Sequence, residues 1–227
     1  MRRAVDDGTL ISIEDAITAN HDSSVGRERN GSLFGMRNLL ATIPEVRELA
    51  SSKDLRRLVV PVLGRSAAAV RGLYFDKTPA ANWKLGWHQD KAIAVRSRVD
   101  VDGYGPWSVK AGVHHVFPPK DILRQMLTLR VHLDACDATI GALKVIPGSH
   151  DRVVESESEF SSIADARGVV SCDVERGDVV IMRPLIGHAS DKCENPNHRR
   201  VVHIEYASHD LPKPLVWNEY VPFATAV

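Results

Sequence analysis

The sequence predicts a mainly β domain, a sandwich or barrel, with helices gathered in its first third. Three observations predict it. From about Ala68 the chain breaks into short apolar or alternating runs: "VRGLYFDK", "GWHQDKAIAV", "MLTLRVHLD", "GALKVIPG", "GDVVIMRP" and "RRVVHIEYA". Turn-formers separate them, at Pro79, Gly103 to Pro106, Pro118-Pro119, Pro147-Gly148, Gly177-Asp178 and Asn195-Pro196. No long helical pattern interleaves them, so a doubly wound parallel sheet is excluded.

Taken in order, "SIEDAITAN" opens with Ser12 and has Asp15 three positions later, a capping-box pattern that predicts a helix start. "GSLFGMRNLL" is short and mixed and predicts a strand entering the fold. "IPEVRELASSKDLRRLVVPVLG" carries helical periodicity in two pieces and ends at Gly64. The strand runs follow. Val99 to Lys120 reads as the longest irregular stretch, and a loop of that length in a compact domain is usually functional.

At 227 residues the expectation is one domain: a helical part over about 1–66, a β core over about 67–210 and a tail at 211–227. Hydrophobic residues make up 44%, enough for a substantial core, and the formal net charge is +0. That balance argues against a nucleic-acid or membrane-surface partner. The first twenty residues hold two arginines but no apolar stretch of a secretory signal, and no run approaches the ~18 apolar residues of a membrane span. Cys136, Cys172 and Cys193 are scattered, which fits a reducing compartment. The expectation is a cytoplasmic monomer or homodimer acting on a small molecule.

The chemistry is concentrated in "WHQDKAIAV", Trp87 to Val95. On a strand, residues two apart share a face, so His88 and Asp90 would aim a nitrogen and a carboxylate at one point. His188, in "GDVVIMRPLIGHAS", follows a strand that Pro184 should end. Two histidines and one carboxylate form a facial triad with open positions, the arrangement of non-haem Fe(II) oxygenases. A zinc hydrolase would take similar ligands, normally with a single water in the fourth position. After a polar loop, Arg199-Arg200 opens the next strand, and an arginine near the metal could clamp a dicarboxylate by a bidentate fork.

These residues carry a resemblance. Trp87-His88-Gln89-Asp90, the block "LDACDATIGALKVIPGSH", and "GDVVIMRPLIGHAS" followed by "RRVVHIEYA" lie in order over roughly residues 70 to 207. In them the chain resembles the phytanoyl-CoA dioxygenase-like branch of the Fe(II)/2-oxoglutarate oxygenases. The resemblance implies a double-stranded β-helix, a cupin-like jelly roll with flanking helices. It implies iron held by His88, Asp90 and His188, with 2-oxoglutarate and O2 as cosubstrates. Its usual interval picks Arg199 over Arg200 as the clamp for the C5 carboxylate, with Ser190 assisting. Relatives place a tryptophan after the HxD strand, which points to Trp107, and a basic residue on an early strand, which points to Arg37; Lys77 is similar in kind. The implied reaction is hydroxylation of a C–H bond with release of succinate and CO2. Desaturation or cyclisation is open to the same chemistry. A carboxylate at Asp90 argues against halogenation, since related halogenases have a small residue there.

Strand parity adds a consequence. If Arg199 points inward, so do Val201, His203 and Glu205, while Arg200, Val202, Ile204 and Tyr206 point outward beneath the N-terminal helices. His203 and Glu205 then line the pocket as substrate contacts. His114 is a further substrate candidate from the long segment, whose lysines and arginines would suit an anionic or polar small molecule. His150 in "PGSH" reads as structural. Two rival classes stay open: a metal-dependent hydrolase or isomerase on a cupin-like barrel, and a non-catalytic ligand-binding relative.

Overall fold

The computed structural model describes residues 1–21, 26–194 and 197–223. The predicted Asn195-Pro196 turn lies outside the described residues. The chain opens with α1 (Asp7–Ala19), β1 (Gly26–Arg29), β2 (Ser32–Arg37), α2 (Leu39–Thr42), α3 (Pro44–Ser51) and α4 (Lys53–Leu63). The β region follows with β3 (Ala68–Asp76), β4 (Leu85–His88), β5 (Ile93–Val95), β6 (Trp107–Lys110), β7 (Val113–Val116), α5 (Lys120–Arg124), β8 (Met126–His132) and β9 (Leu143–Val145). It closes with α6 (Glu157–Arg167), β10 (Val170–Cys172), β11 (Val179–Met182), β12 (His188–Ser190), β13 (Arg200–Ala207) and β14 (Val221–Pro222).

Every strand pairing is antiparallel. The larger sheet runs β1-β2-β3-β13-β8-β11, with β14 also on β3. A smaller sheet runs β10-β9-β12-β4, and a third runs β5-β7-β6. Short antiparallel strands in two principal sheets with few helices make the jelly roll of the cupin type.

The helices pack on one face of the larger sheet. Leu10, Ile13 and Ile17 form the buried stripe of α1, a period that matches successive helical turns. They share one hydrophobic cluster with Val46 and Leu49 of α3, Leu55 and Val59 of α4, and Val202, Ile204 and Tyr206 of β13. Fully burying each large apolar side chain contributes about 1.5–3 kcal/mol. The Tyr206 hydroxyl donates to the Ala50 carbonyl at 2.9 Å, so the one polar atom of that ring is satisfied. Gly72 lets α2 approach β3, because a Cβ there would sit 3.0 Å from Leu39 Cβ and Leu40 Cγ. The outward set of β13 is therefore the face beneath the helices. Arg200 reaches across it to Asp134 at 2.7 Å and Glu14 at 3.0 Å.

Four details differ from the sequence reading. The first helix starts six residues earlier than a Ser12 cap predicts: Asp6 is its cap and accepts from the Thr9 N–H at 3.0 Å. Acceptor geometry outside the helix decides this, and Asp6-x-x-Thr9 supplies it directly. Trp87 to Val95 is not one strand; β4 ends at His88, and β5 belongs to another sheet. Val99 to Lys120 is not irregular, since it holds the β6–β7 hairpin with Ala111-Gly112 at positive φ in its turn. Finally, α6 interrupts the strand region, capped by Ser156 and closed by Gly168. Its buried Phe160 and Ile163 pack with Ile146, Val154 and Trp87. Only two of its residues are fully buried, so its apolar stripe is short and its periodicity faint.

Candidate metal centre and its pocket

His88 is the last residue of β4 and His188 the first of β12, and the two are cross-strand partners. Their ring centroids lie 4.1 Å apart. Asp90 follows the end of β4, where its N–H donates to the Pro184 carbonyl at 2.9 Å. The sequence reading placed His88 and Asp90 on one face of one strand. The residues do converge, but through a turn of the chain after His88 rather than through strand alternation.

Asp90 Oδ1 is 3.9 Å from His88 Nε2, and Oδ2 is 3.6 Å from His188 Nε2. One ligand atom from each residue falls within a 4.8 Å cluster, the one group of this kind among the described residues. Each histidine places Nδ1 2.9 Å from the carbonyl two residues before it, Gly86 for His88 and Ile186 for His188. A carbonyl accepts, so Nδ1 carries the proton and Nε2 keeps its lone pair for a metal. Asp90 Oδ2 is sealed from solvent without a hydrogen-bond partner. A buried acceptor of that kind calls for a cation. The donor set therefore fits a divalent metal with oxygen and imidazole preferences.

Burial pushes His188 down to about 4 against the opposing pull of Asp90, so it is a neutral ligand near pH 7. Burial alone would raise the Asp90 carboxyl, but His188, His203, His88 and Arg71 together hold it below its ordinary value. Gln89 fixes the pair from between. Its amide nitrogen donates to the Leu185 carbonyl at 2.6 Å and the Arg152 carbonyl at 2.8 Å, and its oxygen accepts from the Val154 N–H at 2.9 Å.

The triad opens into a cavity of about 340 Å³ whose floor is the larger sheet. The floor is a grid of inward side chains. One row runs Arg130, His203, Leu73, Arg37 across β8, β13, β3 and β2. The next holds Thr128, Glu205 and Arg71. At the other end of β13 stands Arg199. It is 3% exposed, and its Nη1 donates to the Gly141 carbonyl at 2.7 Å while Nε has no partner among the described residues. Ser190 stands beside it on β12, and its hydroxyl accepts from Lys77 Nζ at 3.0 Å. Lys77 is fully buried, and burial together with Arg199 lowers it to about 8.

Of the residues singled out in the sequence, Arg37, Ser190, Arg199, His203 and Glu205 line this cavity with the triad. Trp107 and His114 do not. Trp107 packs against the cluster beneath the β5–β7–β6 sheet, with the Arg98 guanidinium 5.8 Å from its ring. His114 sits on β7 between Val95 and Val109, in the same hairpin that replaces the expected loop. His114 was assigned on the premise of an irregular segment and Trp107 on the resemblance; the β6–β7 hairpin holds both in a separate sheet. His150 is exposed in a short 3-10 turn.

Two charged pocket residues, Arg130 and Arg71, escaped the sequence reading, and a third, Lys110, was read only as one of the basic residues of the long segment. Arg130 is 6% exposed on β8 and holds His203 Nδ1 at 3.1 Å. Arg71 pairs with Glu205 at 2.9 Å and reaches His115 Nε2 at 3.3 Å. Lys110 lines the cavity from the end of β6. For Arg130 the signal existed: Thr128, Arg130 and His132 alternate within an otherwise apolar run, which marks a polar inner face.

Comparison with known proteins agrees with this architecture. The family profile described as phytanoyl-CoA dioxygenase (PhyH) matches residues 18–201. No curated protein sequence matches significantly. Among solved structures, EctD from S. alaskensis with bound Fe superposes with a TM-score of 0.70 at 19% identity, over 92% of this chain and 72% of that one. AviO1 from Streptomyces viridochromogenes Tue57 gives 0.64 at 22% identity, over 92% and 88%. HygX from Streptomyces hygroscopicus, with nickel and 2-oxoglutarate bound, gives 0.63 at 16% identity, over 91% and 81%. At these identities the likeness is one of fold. No helix among the described residues is long and apolar enough to cross a membrane.

Proposed function

Because the chain belongs to the phytanoyl-CoA dioxygenase family, we propose that it is an Fe(II)/2-oxoglutarate-dependent oxygenase that hydroxylates a C–H bond of a small molecule. One observation carries this reading: the three metal-ligand candidates and a buried guanidinium with an unpartnered N–H line the same cavity. The hydrolytic alternative accounts for the triad but gives Arg199 and Ser190 no shared purpose. A keto diacid that must both reach the metal and anchor its far carboxylate uses both.

In this reading the residues divide the work as follows. His88 and His188 offer Nε2, and Asp90 offers its carboxylate. Arg199 takes the distal carboxylate of 2-oxoglutarate, positioned by its bond to Gly141 and assisted by the Ser190 hydroxyl. Lys77 adds positive charge behind Ser190. When bound, iron, 2-oxoglutarate and O2 would supply the oxidation of an unreactive C–H bond, one oxygen atom entering the product hydroxyl and the other succinate, with CO2 released. The chain contributes position and partial shelter: His188, Ser190, Arg199 and His203 are each 3% exposed, while the side chains of His88 and Asp90 are 32% and 29% exposed.

The test is an anaerobic absorption spectrum of the Fe(II)-loaded protein before and after 2-oxoglutarate is added. A new visible charge-transfer band is expected. Iron that stays bound while no band develops would overturn the oxygenase assignment.

A further inference from the structure

The cavity has two cationic ends, and only one is needed for the cosubstrate. Strand β13 serves as a ruler. Its inward residues run Arg199, Val201, His203, Glu205. At ~3.3 Å per residue, Glu205 lies about 20 Å of strand from Arg199, and the His203 row about 13 Å. The metal-ligand cluster is set along from Arg199, since Lys77 joins the Arg199 carbonyl to the Ser190 hydroxyl and His188 stands two residues from Ser190 on β12. Arg199 therefore serves one side of the metal. Arg71, paired in register with Glu205, and Arg37, paired with Leu73 in the His203 row, belong to the other.

The far end carries excess positive charge. Arg37, Arg71 and Lys110 share the cavity with two carboxylates: Asp90 of the metal-ligand cluster, and Glu205, which Arg71 already holds at 2.9 Å. Among the described residues, Arg37 and Lys110 make no ion pair. Arg37 is half-buried, and burial, Arg71 and Arg27 lower it to about 10. Lys110 stands more exposed at the mouth and is lowered by burial, then by Arg37 and Arg71. Cations drawn together at this cost are stabilised by an anion between them. The neighbouring wall is apolar. Leu73, Phe75, Trp83 and Leu85 line this cavity and also an adjoining one of about 320 Å³, which Phe34 borders as well.

We propose that the substrate is an organic anion, its carboxylate or phosphate docked on Arg37, Arg71 and Lys110 and its apolar body lying along Leu73, Phe75 and Trp83. This rests on the oxygenase reading of the same cavity and moves Arg37 from the cosubstrate to the substrate.

The test is calorimetric titration of metal-free protein with hexanoate, hexyl phosphate and hexanamide, three probes that share an alkyl body. At least one acid is expected to bind tenfold or more tightly than the amide, and the better of the two separates carboxylate from phosphate recognition. Arg37→Gln should weaken the acid about tenfold, and Lys110→Gln several-fold with a shallower response to salt; neither should change the amide. Arg199→Ala should leave acid binding in place. Equal binding of acid and amide, no saturable acid binding up to about 10 mM, or loss confined to Arg199→Ala would overturn the proposal. The 2-oxoglutarate band, read separately on Fe(II)-loaded protein, should survive Arg37→Gln unchanged. Its loss in that variant alone would return Arg37 to the cosubstrate. Its absence from the unaltered protein would refute the oxygenase reading while the anion result still stood.

Discussion

His88 and His188 face each other across the β4–β12 ladder, and each turns Nδ1 to the carbonyl two residues before it on its own strand, at 2.9 Å in both cases. The two imidazoles are thus fixed by the same local device. Their Nε2 atoms lie 3.9 and 3.6 Å from the Asp90 carboxylate.

Replacing His188 by alanine should lower Fe(II) affinity at least about 100-fold, more than the 10–100-fold typical of a residue that only orients a ligand. The fold should persist, because the ring is held by one local bond rather than by core packing. Anaerobic Fe(II) titration with circular dichroism reads both. Unchanged iron affinity would rule out this triad.

Arg199→Ala should weaken 2-oxoglutarate binding by about 30-fold or more, the cost of losing a charge-assisted bond in a buried site. Iron affinity should not move. Arg199→Lys restores charge without the planar fork, so it should recover only part of the loss. Titration of the charge-transfer band gives both constants.

Gly141 links the clamp to the loop after β12. It sits at φ +72°, and a Cβ there would meet the Asp191 carbonyl at 2.5 Å. Its own carbonyl holds Arg199. Gly141→Ala should therefore cost roughly 1–3 kcal/mol of stability and also weaken 2-oxoglutarate. Chemical denaturation and cosubstrate titration on one sample test the coupling; a stability loss with full cosubstrate affinity would contradict it.

Glu219 sets a pH dependence far from the metal. It is 4% exposed and accepts from the N–H groups of Ala41 at 3.0 Å and Gly72 at 2.8 Å. Burial raises it from 4.5 to about 7. Across that window the folded chain holds the proton more tightly than the unfolded chain does. Its contribution is full below about pH 4.5 and is lost as pH rises through about 7, on the order of 2–3 kcal/mol. Urea unfolding of Glu219→Gln at a series of pH values should lack this slope, whatever the variant does to absolute stability.

The residues of the centre were legible because their chemistry fixes their type and spacing: HxD, a distal histidine, an arginine 11 positions beyond it. Their geometry was not. Asp90 reaches the metal position through a turn tied to Pro184, a contact 94 residues away in sequence. The parity of β13 was legible because a strand has only two faces; Arg200 turned to Asp134 and Glu14 while Arg199 entered the cavity. The assignments of Trp107 and His114 failed because prolines and glycines that mark turns also bound a hairpin, and the pairing of β6 with β7 is carried by backbone groups that side chains do not announce. Arg71 was hidden for a related reason: within an apolar run, its meaning depends on Glu205, which only the β3–β13 register brings beside it.

Gln89 has a consequence for how the protein meets its metal. Its side chain joins the Leu185 carbonyl near one ligand to the 152–154 segment, and its neighbours in sequence are the other two ligands. The segments that carry the three candidate ligands are thus tied together by the hydrogen bonds of a single amide. A zinc finger leaves that task to its ion; here one side chain does it.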